Sequence, residues 1–464
     1  MVMLRVCISR EKGMKQRIYQ SLLILSLACV GGYSPLGYSA STYKGVEILA
    51  IQGHADAQVN LAYMYLNGEN VTKNVDKAFF WYQKAAEQKN PEGLYGLAYL
   101  YMTGLGVEKN PEKGIALYRQ SEAQGMALAA YILGVAYETG EGVAKNDQQA
   151  FAWYSKAAEQ DIAVAQNALG NLYVHGRGTI VDYKKAHTWF EKAAAQQDAE
   201  AFYTLGVMHA RGLGVEKNFD QALTYYQKAA DLGDDQALYN MGGIYERQKK
   251  WNLAAENYKK AAENGYAAAQ NALGMLYEAG HGVTQDDRQA KFWYEKAMAQ
   301  QDADGHNNLG ILYAEGKGVP QSYQRAIELY RIAAAQGLAS AEYNLGIAYM
   351  NGWGVEKDEA QAVAWYQKSA QQAYGNAQYN LAASYAHATG IPQDFQQAAF
   401  WYHKAAEQGH ALAQYSLGVS YYYGIGQQKN IIEAEKWLQQ AAAQNEQQAI
   451  GLLKKIVKQK RKSF

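Results

Sequence analysis

Apolar residues recur at spacings of three and four along residues 52–445, separated by short polar stretches rich in Gly, Asn and Lys. Such spacing lines one face of a helix with apolar side chains. The pattern itself repeats. An apolar anchor followed by Gly or Ala marks each copy, at Leu61, Leu97, Leu133, Leu169, Leu205, Met241, Leu273, Leu309, Leu345, Leu381 and Leu417. Successive anchors lie 36 residues apart, except Met241 and Leu273, which lie 32 apart. Eleven units result, and Leu453 sits one period beyond the last anchor, as a terminal half-repeat would.

Each unit predicts two helices. In the first, Ala (Ala57, Ala129, Ala165) or Gly (Gly93, Gly305) precedes the anchor by four, and Tyr follows it by four in ten units, with His209 as the exception. The Gly or Ala after the anchor lets a neighbouring helix approach, while Tyr supplies buried area. A Gly-x-Gly-Val element such as Gly140-Glu141-Gly142-Val143 then ends the helix, because the closing residue takes a positive φ. Three residues later stands a helix-capping type: Asn74, Asn110, Asn146, Asp182, Asn218, Asp286, Ser322, Asp358, Asp394 or Asn430. The second helix carries Ala, then Trp-Tyr or a relative, then an Ala pair, again one stripe. Neither helix buries its stripe alone, so the units must stack.

The pattern A-x3-L-G-x2-Y-x2-G-x-G-V-x2-N/D-x3-A-x2-W-Y-x-K-A-A is complete in unit three, from Ala129 through Leu133-Gly134, Tyr137, Gly140, Gly142-Val143, Ala150 and Trp153-Tyr154 to Lys156-Ala157-Ala158. It resembles the Sel-one-like repeat (SLR) family, which is related to tetratricopeptide repeats. The resemblance implies an all-α fold, a right-handed α-solenoid of about eleven two-helix repeats spanning residues 41–445. It also implies a scaffold for complexes or a ligand-binding surface, with many bacterial members exported. The sixth unit, Ala237 to Gly265, lacks the Gly-x-Gly-Val loop, which is either a tolerated deletion or a bend between units 1–5 and 7–11. Unit two has Ser121-Glu122 in place of the Ala pair and is expected to pack less tightly. Residues 446–464 are read as a capping helix and a basic tail, a solvated polar cap or an element attracted to an anionic surface.

Composition changes the picture at the ends. Basic Lys15 and Arg17, an uncharged run from Ser21 to Val30, and small residues Ser39-Ala40-Ser41 have the order of a secretory signal peptide over residues 1–40. A start at Met14 gives the more ordinary signal. The apolar run is too short to span a bilayer, so no integral membrane segment is expected after leader removal. A lipid anchor through Cys29 is disfavoured, because Ser26 stands where Leu is usual in a lipid-attachment box. The expected location is periplasmic or secreted. The chain's formal charge is zero, but without residues 1–40 it has 39 basic against 43 acidic residues. This argues against nucleic acid as a partner.

Candidate chemistry is sparse. The Gly pairs follow a helix, whereas phosphate loops precede one, and no Gly-Lys-Ser/Thr occurs, so nucleotide binding is not expected. The nine His residues are scattered over different repeat slots, no His-Glu-x-x-His pair exists, and no metal or other cofactor is expected. Within the repeats no Gly-x-Ser-x-Gly or Ser-x-x-Lys motif supplies a nucleophile, so no catalytic residue is assigned. A penicillin-binding or hydrolase-type enzyme, suggested by disulfide-rich relatives, is the weakest alternative, since both Cys lie in the leader.

The candidate site is a groove. In tetratricopeptide-like arrays the first helix lines the concave side, and the residue two before the anchor should point into it. Those residues are Val59, Tyr95, Tyr131, Asn167, Tyr203, Tyr239, Asn271, Asn307, Tyr343, Tyr379 and Tyr415, with Asn60, Asn240, Asn308, Asn344 and Asn380 one position later in their units. Rigid aromatic faces and amides suit an extended protein or peptide partner, or a cell-wall glycan. The same Tyr-Asn-Leu-Gly run also reads as packing consensus. The expected function is a non-enzymatic interaction scaffold or adaptor in the cell envelope or secreted. A peptidoglycan- or glycan-binding module in wall remodelling is the alternative.

Overall fold

The computed structural model describes residues 43–462; the leader, Met14 and Cys29 lie outside them. The described residues form 24 helices and no strand. They divide into two compact units between Asp234 and Asp235, at the end of the fifth repeat. In both, a repeat is a pair of antiparallel helices, as in repeat 3, where Ala127–Thr139 packs on Asp147–Ala158.

The expected stop and start signals operate as physics requires. Gly140 closes the first helix of repeat 3 at φ 81°, its N–H bonded to the Ala136 carbonyl. All ten candidate caps accept a hydrogen bond from a backbone N–H three residues on, as Asn146 does from Gln149 at 3.0 Å. The cap's own N–H returns to the Tyr carbonyl of the first helix, for example Asn146 to Tyr137 at 2.9 Å, which closes the loop. Repeat 6 turns instead through Lys249 at φ 56°, and Lys250 opens its second helix without a side-chain cap.

The second glycine of the loop has a different role from the first. A Cβ on Gly142 would lie 2.8 Å from the Pro111 carbonyl oxygen, and one on Gly106 would lie 2.7 Å from that of Val75. These carbonyls belong to the opening turn of the preceding repeat's second helix. The loop therefore closes the junction between repeats, and only Gly admits the backbone this close.

Burial also differs from expectation in one respect. The anchors are buried, but the Tyr four after them is only half-buried from repeat 3 onward. The fully covered aromatic is on the second helix: Tyr82, Tyr118, Tyr154, Phe190, Tyr294 and Tyr366 are each no more than 2% exposed. Its ring lies against the small residue after the anchor, where a Cβ on Gly134 would sit 2.5 Å from Tyr154 Cδ1.

Polar side chains stitch the stack. Gln166, Gln270, Gln378 and Gln414 are buried, and each donates to the last-turn carbonyl of the preceding second helix, as Gln270 does to Ala262 at 3.0 Å. Each also accepts from a Gln of its own repeat, such as Gln300 to Gln270 at 2.9 Å. In repeat 2, Ser121 is fully buried and its hydroxyl donates to the Pro91 carbonyl at 2.7 Å, so the loss of Ala there is compensated by a hydrogen bond.

Two end elements complete the molecule. Helix Tyr43–Ile51, which the repeat pattern did not indicate, stands before repeat 1, and its Ala50 carbonyl accepts from Gln58 at 3.1 Å. After repeat 11, helix Gln447–Lys462 lays Ala449, Leu452 and Ile456 against Leu438 and Ala441.

Candidate functional site

Within each unit the first helices of successive repeats form one layer, touching directly at repeats 1 and 2 and at repeats 7 and 8. The candidate residues line this layer, and each is held by its own repeat. In the first unit Tyr95 packs edge-on against Tyr118 at 5.2 Å, while Tyr131 packs at a tilt against Tyr154 at 5.6 Å and Tyr203 against Tyr226 at 5.8 Å. Tyr95, Tyr131 and Asn167 are buried, as is Val59, while Tyr203 is half-buried.

In the second unit Tyr239, Asn271, Tyr343, Tyr379 and Tyr415 are half-buried and Asn307 is buried. Tyr239 contacts Tyr258 and Tyr266, each at 5.5 Å; Tyr343 contacts Tyr366 at 6.0 Å and Tyr374 at 5.4 Å. Tyr379 packs on Tyr402 at 5.8 Å and stacks on His410 at 4.7 Å. These rings pack on neighbouring rings and remain half-buried.

Between the aromatic pairs of the second unit runs an amide relay. Asn344 donates to Asn307 at 2.9 Å, Asn307 to Asn308 at 3.1 Å, and Asn308 to Asn271 at 2.9 Å. Asn380, in the same place in repeat 10, lies near the hydroxyls of Tyr343 and Tyr366. The two Asn positions were both visible in the sequence; their bonding to each other across repeats was not.

The layer is electronegative. Asp198 and Glu200, opening the first helix of repeat 5, act on Tyr131; Asp302 and Asp304, opening the first helix of repeat 8, act on Tyr239; Glu446 acts on Tyr379 and Tyr415. Burial, reinforced by these carboxylates, holds all four hydroxyls above the ordinary phenol range, so they stay neutral donors. Burial likewise pushes the carboxyls of Asp198 and Asp302 up, against helix-start N–H groups that pull them down.

Elsewhere, two of the scattered histidines meet. His187 and His209 approach with Nε2 atoms 3.4 Å apart, and His209 stacks on Tyr225 at 5.4 Å. Among the described residues no group of three or more His, Cys, Asp or Glu could hold a metal ion, and no helix is long and apolar enough to cross a membrane.

The repeat geometry can be compared with known proteins directly. The Sel1 repeat profile matches eleven contiguous segments, from 55–90 to 411–455, with the short sixth at 235–266. The chain belongs to the Sel1 repeat family. Among solved Sel1-type structures it is similar to c5321, a protective antigen present in uropathogenic Escherichia coli strains displaying an SLR fold. The two are 33% identical over 90% of each chain, with a TM-score of 0.68. A Sel1 repeat protein from Oxalobacter formigenes is 28% identical over 74% of this chain and 90% of its own, with a TM-score of 0.42. No curated protein matches. Proteins of Sel1 repeats are generally protein-interaction scaffolds and typically non-enzymatic.

Proposed function

We propose that the protein is an exported, non-catalytic scaffold that receives extended protein segments along the first-helix layer of its repeats. The observation that carries this reading is the register of that layer. At one position in every repeat but the first, where Val59 stands, it presents Tyr or Asn, most of them backed by a buried aromatic or an amide relay, and carboxylates act on several of them. Rings already held by packing lose little entropy on contact, and neutral hydroxyls and amides supply donors and acceptors for a peptide main chain. The leader-like run of residues within 1–40 supports export to the periplasm or beyond, as does the similarity to an Escherichia coli protective antigen.

Immobilised protein lacking the leader is expected to retain specific proteins from an envelope extract and to stay in the supernatant when mixed with purified sacculi. Retention on sacculi with no protein captured would replace a protein ligand by wall glycan. Separation of periplasm, membranes and culture medium, with the mature N-terminus sequenced, tests export; an uncleaved chain in the cytoplasm would refute it.

A further inference from the structure

At one junction in the stack a packing pair is replaced by two imidazoles. The residue eighteen after an anchor, on a second helix, faces the residue four after the next anchor, on the first helix of the following repeat. Phe79 meets Tyr101 in this way with ring centroids 5.8 Å apart, and Phe151 meets Tyr173 at 5.3 Å. Between repeats 4 and 5 the same two positions hold His187 and His209, at 5.5 Å. Both members of the pair are histidine, and His209 is the one departure from Tyr at its position.

The two rings meet through nitrogen. Their Nε2 atoms stand 3.4 Å apart. Two imidazole nitrogens on one tetrahedral zinc ion, each about 2.0–2.1 Å from it, stand about 3.3–3.4 Å from one another. Adjacent donors of a square-planar ion would stand about 2.8 Å apart, so the spacing selects the tetrahedral preference of zinc.

The other nitrogen of each ring agrees with that use. His187 Nδ1 lies 3.6 Å from a carboxylate oxygen of Glu191, one turn on in the same helix. A carboxylate there keeps the proton on Nδ1, which leaves Nε2 a bare lone pair and raises its basicity. His209 Nδ1 has no hydrogen-bond partner, so nothing locks a proton onto the Nε2 of that ring. Stacking on Tyr225 holds the His209 ring, and both histidines are half-buried, neither sealed from solvent nor free to swing.

We propose that His187 and His209 form a zinc(II) site, with their Nε2 atoms as its two protein ligands and water in the remaining positions. Glu191 faces Nδ1 of His187 and is therefore a positioning residue that acts through that ring. Without the ion, His209 Nε2 donates a hydrogen bond to His187 Nε2; when zinc binds, that proton passes to His209 Nδ1 and none is released. The ion joins helix Tyr183–Ala195 of repeat 4 to helix Ala199–Arg211 of repeat 5.

The test uses the full chain with Cys7 and Cys29 alkylated, so that thiols do not compete. Metal is stripped with a chelator, and zinc(II) is titrated at neutral pH against a chromophoric indicator, with the melting temperature read in parallel. One zinc per chain is expected to bind above any weaker background, and the melting temperature to rise with zinc as mass action requires. His187→Phe combined with His209→Tyr rebuilds the pair seen at Phe79 and Tyr101, so this variant keeps the packing. It is expected to bind zinc at least tenfold more weakly and to lose the zinc-dependent rise in melting temperature. Glu191→Gln should weaken zinc about tenfold, with the melting temperature of the metal-free chain unchanged.

A chain that binds no zinc, or a double variant that binds it as tightly and gains as much melting temperature, would overturn the site. Undiminished zinc affinity in Glu191→Gln would overturn the role given to Glu191.

Discussion

Where the inter-helix loop carries two glycines they do different work, and repeat 10, with only the second, offers a natural control. Its loop carries Ala388 in the first glycine slot, at φ 57°, and Gly390 in the second, at φ 69°. Ala388→Gly relieves a left-handed residue with a Cβ, worth roughly 1–2 kcal/mol, less about 0.4–1 kcal/mol for the freer unfolded chain. The net expected gain is about 1 kcal/mol. Gly390→Ala pays the same backbone term in reverse and adds a steric one. Its Cβ would run into the Glu359 carbonyl group and sit 3.0 Å from the Ala360 nitrogen, all backbone at the start of repeat 9's second helix. Overpacking against atoms that cannot rotate away adds about 1–3 kcal/mol, for a total loss of about 2–4 kcal/mol. Because stability in such stacks is a sum of repeats and interfaces, the assay must be local. Hydrogen exchange read by mass spectrometry should show faster exchange over residues 339–410 in Gly390→Ala and unchanged exchange over residues 55–90. If Gly390→Ala costs no more than Gly140→Ala, whose Cβ would meet nothing closer than 3.5 Å, the junction argument is wrong.

Other substitutions probe the polar stitching. Glu342 occupies the slot held by the bridging Gln in repeats 1, 4, 7, 10 and 11; it accepts from Gln372 at 2.8 Å, and burial raises its carboxyl pKa against the pull of Gln372 and Lys368. A raised folded pKa means the folded state holds the proton longer, so this group's contribution weakens as pH rises from about 4 toward neutrality. Glu342→Gln should therefore add about 1 kcal/mol at pH 7, with the gain shrinking toward pH 4 in urea titrations; a pH-independent gain would refute the assignment. His209 has the opposite sign: burial, then His187, lowers its pKa, so stability is full above about pH 6.5 and falls on acidification. His209→Tyr, matching the other ten repeats, should lessen the drop in melting temperature between pH 7.5 and 5. Asn146→Ala should cost about 1 kcal/mol through loss of its bond to the Gln149 N–H, and an Asn146→Asp variant that costs as much would count against capping.

The periodic features were legible because they depend on residues within one turn or one loop. The capping residues and the closing glycines each act over fewer than ten positions, and each is where the sequence placed it. What the sequence left unread depends on separation by a whole repeat. The second glycine looks like the first until the Pro111 and Val75 carbonyls are seen beside it. Tyr137 and Tyr154 are both tyrosines at helical spacing, and only the stacking of repeats decides that Tyr154 is the one fully covered. In the candidate layer, the positions of Asn271, Asn307, Asn308 and Asn344 followed from the alignment of units. Their relay did not, since its links join residues 37 apart. His187 and His209 were read as unrelated for the same reason. Helix Tyr43–Ile51 was missed because it has no anchor and no partner helix of its own to complete the pattern.

The central claim is that partners are received on the first-helix layer. A photoreactive residue placed at Tyr203 or Tyr343, on that layer, and at Phe80 or Phe292, which are about half exposed on second helices, compares the two faces in living cells. The account predicts partner adducts from Tyr203 and Tyr343 and few or none from Phe80 and Phe292. Adducts confined to Phe80 and Phe292 would contradict it.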